Sequence, residues 1–141
     1  MRDVGWGGGQ WLTAGGFNGN IKTSPNAVTW TTQPTSIGQW FGGVAFGNGR
    51  FVAAGGNGAR CFSTDALTWQ CPGAYQQFQH RAIAYGGGRF VTVGNSYASP
   101  AAHTSSLSTD GTSWTEIPTL MNQQANTILY APRSEEHTSE L

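Results

Sequence analysis

Apolar and polar positions alternate along the chain in short runs that recur about every 40 residues. Each recurrence opens with a short apolar run that ends in an aromatic residue, Trp6, Phe46 or Tyr85, and these residues lie 40 and 39 positions apart. A Gly-Gly or Asn-Gly turn follows, and then a β-rich run such as residues 50–54. Turns of this kind supply the positive φ of a tight hairpin. Because no run has helical periodicity, the pattern predicts repeated β-hairpins.

A second motif closes each recurrence with a polar turn and a tryptophan. It reads SPNAVTW, STDALTW and STDGTSW, ending at Trp30, Trp69 and Trp114. The third position, Asn26, Asp65 or Asp110, has a short side chain that can accept backbone N–H bonds within its own turn. Repetition of this position, with asparagine in one copy, favours a structural turn over a catalytic acid or a metal ligand. The tryptophans are predicted to pack between neighbouring units.

Four short strands in each unit of about 40 residues predict an all-β fold, and specifically a β-propeller fragment. The predicted units are three four-stranded blades at residues 4–43, 44–82 and 83–127. Residues 128–132 begin a fourth blade, because Ile128-Leu129-Tyr130 repeats Ile83-Ala84-Tyr85 after 45 residues. Residues 1–132 are thus expected to form one partial propeller.

The turn motifs resemble the Asp-box, or BNR, repeat of sialidase-type β-propellers. The likeness extends to bacterial and phage repeats written Y-G-N-G-x-F-V-A-V-G…S-x-D-G-x-x-W, and it covers about residues 4–130. The turns depart from the family pattern in being one residue shorter, and in having Asn26 in the first copy. The resemblance implies the fold and selects no single function, since such blades serve sialidases, other glycosidases, photosystem assembly factors, sorting receptors and lectins.

Residues 133–141, RSEEHTSEL, break the pattern of the preceding chain. They hold three of the seven acidic residues and contain neither glycine nor an aromatic residue. The segment looks like a translated sequencing adapter, so we predict a non-native tail after a truncated metagenomic reading frame. Without this tail, residues 1–132 carry six basic and four acidic residues, a net charge of +2.

The charge pattern and the hydropathy argue against two classes of partner. Charged residues make up 10% of the chain, its net charge is zero, and lysine and arginine are scattered singly. A nucleic acid would therefore find no basic stripe to bind. No apolar run approaches the length of a membrane span, which predicts no membrane partner. The compartment stays unassigned, with a secreted or cell-surface protein favoured.

Few side chains in residues 1–132 suit catalysis. The carboxylates there are Asp3, Asp65, Asp110 and Glu116. Glycoside hydrolysis usually needs a facing pair of carboxylates, and no such pair is evident. His80 and His103 are too isolated for a metal site. The sequence therefore predicts that this chain is not an enzyme and holds no metal or cofactor.

The two cysteines, Cys61 and Cys71, flank the second polar turn symmetrically. They should lie opposite each other on the outer hairpin, where Lys22 and Thr32 are the equivalent pair and imply an exposed face. Opposed residues of a non-hydrogen-bonded antiparallel pair come close enough for a disulfide. The alternative is two unrelated thiols in a reducing cytosol.

A ligand of a propeller would bind near the central channel, on the face that carries the loops after the second and fourth strands. Those loops are also where the three units differ most. Exposed aromatic residues beside amides and a cation suit a sugar or a peptide. The candidates are Phe17, Trp40, Phe41, His80, Arg81, Tyr97 and His103. The alternative for each residue is that it only caps the core between blades.

Three blades cannot close a ring, and their open ends would expose apolar surface. Self-association should then be favoured, with a homodimer giving six blades and a homotrimer, the less expected state, giving nine. The sequence therefore predicts a non-catalytic binding or interaction propeller that completes its ring by self-association, with carbohydrate as a candidate ligand. The alternative is a fragment of a secreted Asp-box glycoside hydrolase, sialidase-like, that lacks its catalytic residues.

Overall fold

A computed structural model describes residues 2–16, 18–35, 37–72, 78–96, 104–118 and 127–132. Within these ranges the strands form three antiparallel sheets, two of four strands and one of three. The same ranges contain no α-helix, and their one helical element is a 3-10 turn at Gly56–Gly58. The prediction of an all-β chain is confirmed.

Each sheet is a meander whose strands are hydrogen-bonded in chain order. Sheet 1 contains β1 (Asp3–Gly7), β2 (Gln10–Ala14), β3 (Ile21–Ser24) and β4 (Thr31–Gln33). Sheet 2 contains β5 (Phe41–Gly47), β6 (Arg50–Gly55) and β7 (Arg60–Ser63). Sheet 3 contains β8 (Phe78–Gly86), β9 (Arg89–Ser96), β10 (Thr104–Ser108) and β11 (Thr115–Pro118).

The first hairpin of every sheet turns through two residues with positive φ. The φ angles are 56° and 78° at Gly8 and Gly9, 50° and 70° at Asn48 and Gly49, and 59° and 77° at Gly87 and Gly88. Two successive positive φ angles match the twist of paired strands, and asparagine and glycine adopt them most readily. This requirement explains the Gly-Gly and Asn-Gly pairs of the sequence.

Sheet 2 departs from the expected four strands. Where its fourth strand should pair with β7, a single bridge joins Phe62 and Gln70, with both backbone N–H···O distances at 2.9 Å. The bridge cannot extend through Pro72, which has no backbone N–H to donate. Four strands were thus predicted correctly for sheets 1 and 3 and incorrectly for the described part of sheet 2.

The first strands of sheets 2 and 3 are longer than the short apolar runs of the sequence. Strand β5 starts at Phe41 and β8 at Phe78. Each strand contains one register shift, between Phe41 and Gly43 in β5 and between His80 and Ala82 in β8. Such β-bulges re-aim the side chain at the irregular position. In these two strands that position is Gly42 and Arg81.

Successive sheets meet through an aromatic ring that lies on a glycine, which we call the ring–glycine contact. Phe46 lies on Gly7, Tyr85 on Gly47 and Tyr130 on Gly86. A Cβ atom built on these glycines would lie 2.2, 2.1 and 1.9 Å from the respective ring. Only glycine leaves room for this approach, so the residue after each aromatic position is fixed by the neighbouring sheet.

A side chain at the start of the second strand also links successive sheets. Gln10 Nε2 donates to the Asp65 carbonyl at 3.3 Å, and the Arg50 guanidinium donates to the Asp110 carbonyl at 2.6 Å.

The core fills the space between the sheets. Leu12, Ile21, Phe41, Phe51 and Trp69 pack between sheets 1 and 2, and Val52, Ala54, Ile83 and Phe90 between sheets 2 and 3.

A search of the described residues finds no helix with the length and apolarity needed to cross a bilayer.

Candidate functional site

The polar turns bind their own backbone. Asp65 Oδ1 accepts hydrogen bonds from the Leu67 and Thr68 N–H groups at 2.8 and 2.9 Å, and Asp110 Oδ1 does the same with Thr112 and Ser113 at 2.8 and 2.9 Å. Asn26 Oδ1 makes the equivalent two bonds. The backbone N–H donors lower the pKa of both aspartates below its ordinary value. This geometry assigns the three residues to turn formation.

The tryptophans that close the turns differ in burial. Trp69 is buried between sheets 1 and 2, and its Nε1 donates to the Ala66 carbonyl at 3.0 Å. Trp114 packs against the core between sheets 2 and 3, with the Arg60 guanidinium 5.0 Å from its ring centroid. Trp30 is half-buried, and its Nε1 donates to the Ala27 carbonyl at 3.2 Å. Trp69 and Trp114 therefore join their own sheet to the one before it.

The cysteines form a disulfide across sheet 2. Cys61 and Cys71 have Cα atoms 4.2 Å apart, and they are the next opposed pair of residues after the Phe62–Gln70 bridge. The prediction of an exposed face is wrong for Cys61, which is fully buried in the core between sheets 1 and 2. Its equivalents differ as well, since Lys22 is exposed and Ser106 is buried. Whether a residue at this position is buried therefore depends on the sheet that faces it, and not on its place in the hairpin.

Two of the predicted ligand residues have their side chains in the interior. Phe41 is fully buried and belongs to the core between sheets 1 and 2. His80 is also fully buried, with its ring against Phe78 and its Nδ1 3.0 Å from Thr92 Oγ1. Both expectations are corrected, because neither side chain reaches the surface where a ligand would bind.

The environment of His80 keeps it neutral. Burial, assisted by the positive charge of Arg60, lowers the pKa of His80 from 6.5 to about 3, against an opposing interaction with the Gly58 backbone. Its Nε2 atom has no hydrogen-bond partner among the described residues. The imidazole is thus a neutral polar group buried beside Thr92.

Trp40 and Arg81 do come together, and Arg2 joins them. The guanidinium carbon of Arg2 lies 4.8 Å from the Trp40 ring centroid, and that of Arg81 lies 5.6 Å from it. Trp40 is half-buried, and its indole edge packs on Gly56, where a Cβ would lie 2.6 Å from Nε1. Two cations therefore flank one aromatic ring, an arrangement stabilised by cation–π attraction.

The two arginines line a cavity of about 290 Å³, which we call the arginine cavity. Its lining residues are Arg2, Asp3, Gly42, Arg81, Ala82, Ile83, Thr127 and Ile128. The first strands of all three sheets converge there, together with the segment that follows sheet 3. Gly42 and Arg81 enter it at the two β-bulges. A Cβ on Gly42 would lie 2.5 Å from the His80 carbonyl oxygen, so glycine is required for β5 to pass β8.

Asp3 brings one negative charge to this cavity, against the two positive charges of Arg2 and Arg81. Its Oδ1 accepts the Val4 N–H at 2.9 Å, and its Oδ2 accepts the Val44 N–H of the next sheet at 3.0 Å. Within the described ranges no carboxylate forms an ion pair with Arg2. Arg81 Nε donates to Asn95 Oδ1 at 3.1 Å, which orients the guanidinium. The cavity is therefore net positive.

Arg2 and Asp3 were not predicted as site residues from the sequence. A usable signal was present, because Arg2, Gly42 and Arg81 each precede the aligned apolar residue (Val4, Val44 and Ile83) by two positions. Three other predicted residues, Phe17, Tyr97 and His103, lie outside the described residues. The remaining carboxylate, Glu116, pairs with Arg60 at 2.7 Å and accepts a hydrogen bond from Ser106. The described residues contain no cluster of three or more metal-ligating side chains.

Comparison with solved structures gives a distant structural likeness. The chain superposes on the structure of sucrose-6-phosphate hydrolase from Lactobacillus gasseri with a TM-score of 0.49 and 13% sequence identity. The match covers 82% of this chain and 32% of that chain, so this chain spans about a third of the protein it matches. No family model and no curated protein match the sequence.

This comparison corrects one expectation. The prediction that the chain is not an enzyme is withdrawn, because a solved structure to which the chain is similar is a hydrolase. No activity is carried over from that protein, since the likeness is distant and partial.

Proposed function

We propose that the three sheets are consecutive blades of a β-propeller and that the arginine cavity binds a carbohydrate that carries an anionic group. Under this proposal the blade units are residues 4–43, 44–82 and 83–127, a fourth blade starts at 128–132, and residues 133–141 lie outside the propeller. The observation that carries the ligand proposal is the pair of guanidinium groups around Trp40 at the convergence of the first strands.

The propeller interpretation is supported by the repeated relation between neighbouring sheets. The ring–glycine contact occurs from sheet 1 to sheet 2, from sheet 2 to sheet 3, and again at Tyr130. The cross-sheet hydrogen bonds of Gln10 and Arg50 repeat in the same sense. One contact used repeatedly between equivalent units generates a rotation about a common axis, as in a propeller. The first strands would then lie nearest that axis.

The anionic ligand is favoured by the charges that line the cavity. A guanidinium group presents paired N–H donors that match a carboxylate, sulfate or phosphate. Arg2 and Arg81 both line the arginine cavity, and both oxygens of Asp3 already accept backbone N–H groups. An acidic group of the ligand would therefore meet two cations.

The carbohydrate part of the ligand is favoured by the polar groups that line the cavity, beside which Trp40 packs against both guanidinium groups. Hydrogen-bonding groups in such a cavity bind sugar hydroxyls. Asp3, in β1, and Thr127, in the segment after sheet 3, provide such groups. A peptide ligand with an acidic residue shares the guanidinium contact and is separated from a glycan by the experiment below.

The test is calorimetric titration with acidic oligosaccharides (uronate-containing, sialylated and sulfated), their neutral counterparts, and an acidic peptide. We expect binding of an acidic oligosaccharide, with the Kd raised about tenfold or more by Arg2→Gln or Arg81→Gln, because each removes a charge-assisted hydrogen bond. Trp40→Ala should weaken binding as well.

The matched control is Arg89→Gln, which makes the same charge change at an exposed hairpin outside the arginine cavity. It should leave the Kd unchanged. Equal losses in Arg89→Gln and Arg81→Gln would reduce the effect to general electrostatics. Equal affinity for neutral and acidic sugars, or binding of the peptide alone, would contradict the proposed ligand.

A further inference from the structure

One face of sheet 1 is apolar and open. We call it the outer face, and it carries Val4, Trp6 and Trp11 on the side away from sheet 2. Val4 is 53% exposed and Trp6 is 54% exposed. Trp6 and Trp11 lie together, with ring centroids 5.0 Å apart, as do the equivalent pairs of sheets 2 and 3. The pair is therefore preformed for contact with another surface.

The other two sheets indicate what covers such a face. Val44 and Ile83, which are equivalent to Val4, are only 5% and 6% exposed. They are covered by the preceding sheet, since Val44 lies over Gly5 and Ile83 lies over Gly43. Phe46 and Tyr85, equivalent to Trp6, lie on the glycines of the preceding sheet. The structural complement of the outer face is thus the first strand of another such sheet, with glycine at the contact.

We infer that a second copy of this chain covers the outer face, with Trp6 of one copy lying on Gly86 of the other in the place of Tyr130. This inference rests on the propeller interpretation and requires no carbohydrate ligand. Gly86 is the suitable glycine because its ring–glycine contact is made by residues that belong to no sheet. The next equivalent position is Ala131, whose Cβ atom would occupy the space that the ring needs.

The segment that competes with Trp6 for Gly86 is residues 127–132. It forms no strand, and Tyr130 and Leu129 are both exposed. Strand β1, in contrast, is already paired with β2 along its full length and would bring Val4 and Trp6 as one preorganised unit. Preorganisation lowers the entropic cost of docking. Two copies of three sheets would then make a ring of six, within the size range of closed propellers.

The test is the molar mass in solution, measured by sedimentation equilibrium over a range of concentrations on the full chain. We expect a dimer in the wild type. Trp6→Ala should raise the dimer dissociation constant by about 30-fold or more, as expected for a buried tryptophan at the centre of an interface. Trp6 is exposed within one copy, so the variant should fold normally, which circular dichroism checks.

The matched control is Val28→Ala. Val28 is an exposed apolar side chain in the turn between β3 and β4, and its equivalent after β7, Leu67, is exposed too, so this position is not covered by a neighbouring sheet. Val28→Ala should leave the dissociation constant unchanged. An equal effect of Val28→Ala and Trp6→Ala would overturn the inference, because it would indicate nonspecific hydrophobic association.

A second variant tests the competition directly. Tyr130→Ala should lower the dissociation constant, since it frees Gly86 for Trp6 of the other copy. A wild type that stays monomeric up to about 100 µM would overturn the inference, given that hydrophobic protein interfaces commonly reach micromolar Kd values or lower. So would a dimer that is indifferent to both Trp6→Ala and Tyr130→Ala. Because no sugar is present, failure here is distinguishable from failure of the ligand proposal.

Discussion

At the residue scale, the strongly shifted pKa values belong to side chains that hold the fold. Asp110 has its pKa lowered by backbone N–H groups of its own turn, and His80 has its pKa lowered by burial. Neither residue lines the arginine cavity. A perturbed pKa can mark a functional site, but structural hydrogen bonds and burial perturb it equally well. The contacts of each group therefore decide its role.

His80 predicts a pH-dependent stability. Its pKa is about 3 in the folded chain, against an ordinary value of 6.5, so between these values the unfolded chain binds a proton that the folded chain does not. The free energy of unfolding should therefore fall as the pH drops from 6.5, by at most about 1.4 kcal/mol per pH unit. Urea denaturation from pH 7 to pH 4.5 measures this slope.

The variant for this prediction is His80→Gln, which keeps a polar group beside Thr92 and should flatten the slope. The lowered pKa values of the aspartates act below 3.8, outside this window. His103→Gln serves as the control for an unrelated histidine and should keep the slope. A slope that survives in His80→Gln would contradict the assignment.

At the scale of the elements, the polar turns set the register of the outer hairpins. Lys22 pairs with Thr32 in sheet 1 and Ser106 with Glu116 in sheet 3, and the same spacing places Cys61 opposite Cys71 in sheet 2. Sheet 2 replaces strand pairing beyond Gln70 with this covalent link. We infer that the disulfide holds the segment that regular hydrogen bonds do not.

Reduction of the Cys61–Cys71 disulfide should lower the free energy of unfolding. The link closes a loop with a sequence separation of 10 residues, for which the chain-entropy model gives about 2–3 kcal/mol. Urea unfolding with and without a reductant measures the change. The double variant Cys61→Ala, Cys71→Ala should unfold at low urea under both conditions. An unchanged wild-type midpoint under reducing conditions would refute the stabilising role.

At the scale of the whole molecule, the ring–glycine contacts hold the sheets against one another. Each contact places an aromatic ring where a Cβ would otherwise be, as at Gly47 below Tyr85. The glycine also lies outside the positive-φ region, since only the next residues of the turn have positive φ. The structure therefore requires glycine here because it has no side chain, and not because of its backbone freedom.

Gly47→Ala should therefore destabilise the protein strongly. The new methyl group would overlap the Tyr85 ring and push sheets 2 and 3 apart, at a cost of about 1–3 kcal/mol or more. Thermal unfolding followed by circular dichroism measures the loss. Gly38→Ala is the control, because a Cβ at Gly38 meets no atom within 4 Å. Similar melting temperatures for Gly47→Ala and the wild type would contradict the contact.

Much of the fold was predictable from the sequence, and much of the site was not. The antiparallel hairpins follow from glycine pairs and apolar alternation, which act within a few residues. Arg2, Trp40 and Arg81 lie far apart in the chain and meet beside the arginine cavity only when the first strands of different sheets converge. The β-bulge that directs Arg81 into the cavity leaves no signal in the apolar pattern.

The sequence by itself determined the repeat, the turns and the order of the strands, because these depend on local backbone preferences and on side chains that bind their own turn. Only the tertiary structure decided which apolar residues are core. Phe41 and Cys61 are buried while Trp6 and Val4 are exposed, although all four lie on similar strands. The physical reason is that burial depends on the sheet that faces each strand, and local sequence carries no information about that neighbour.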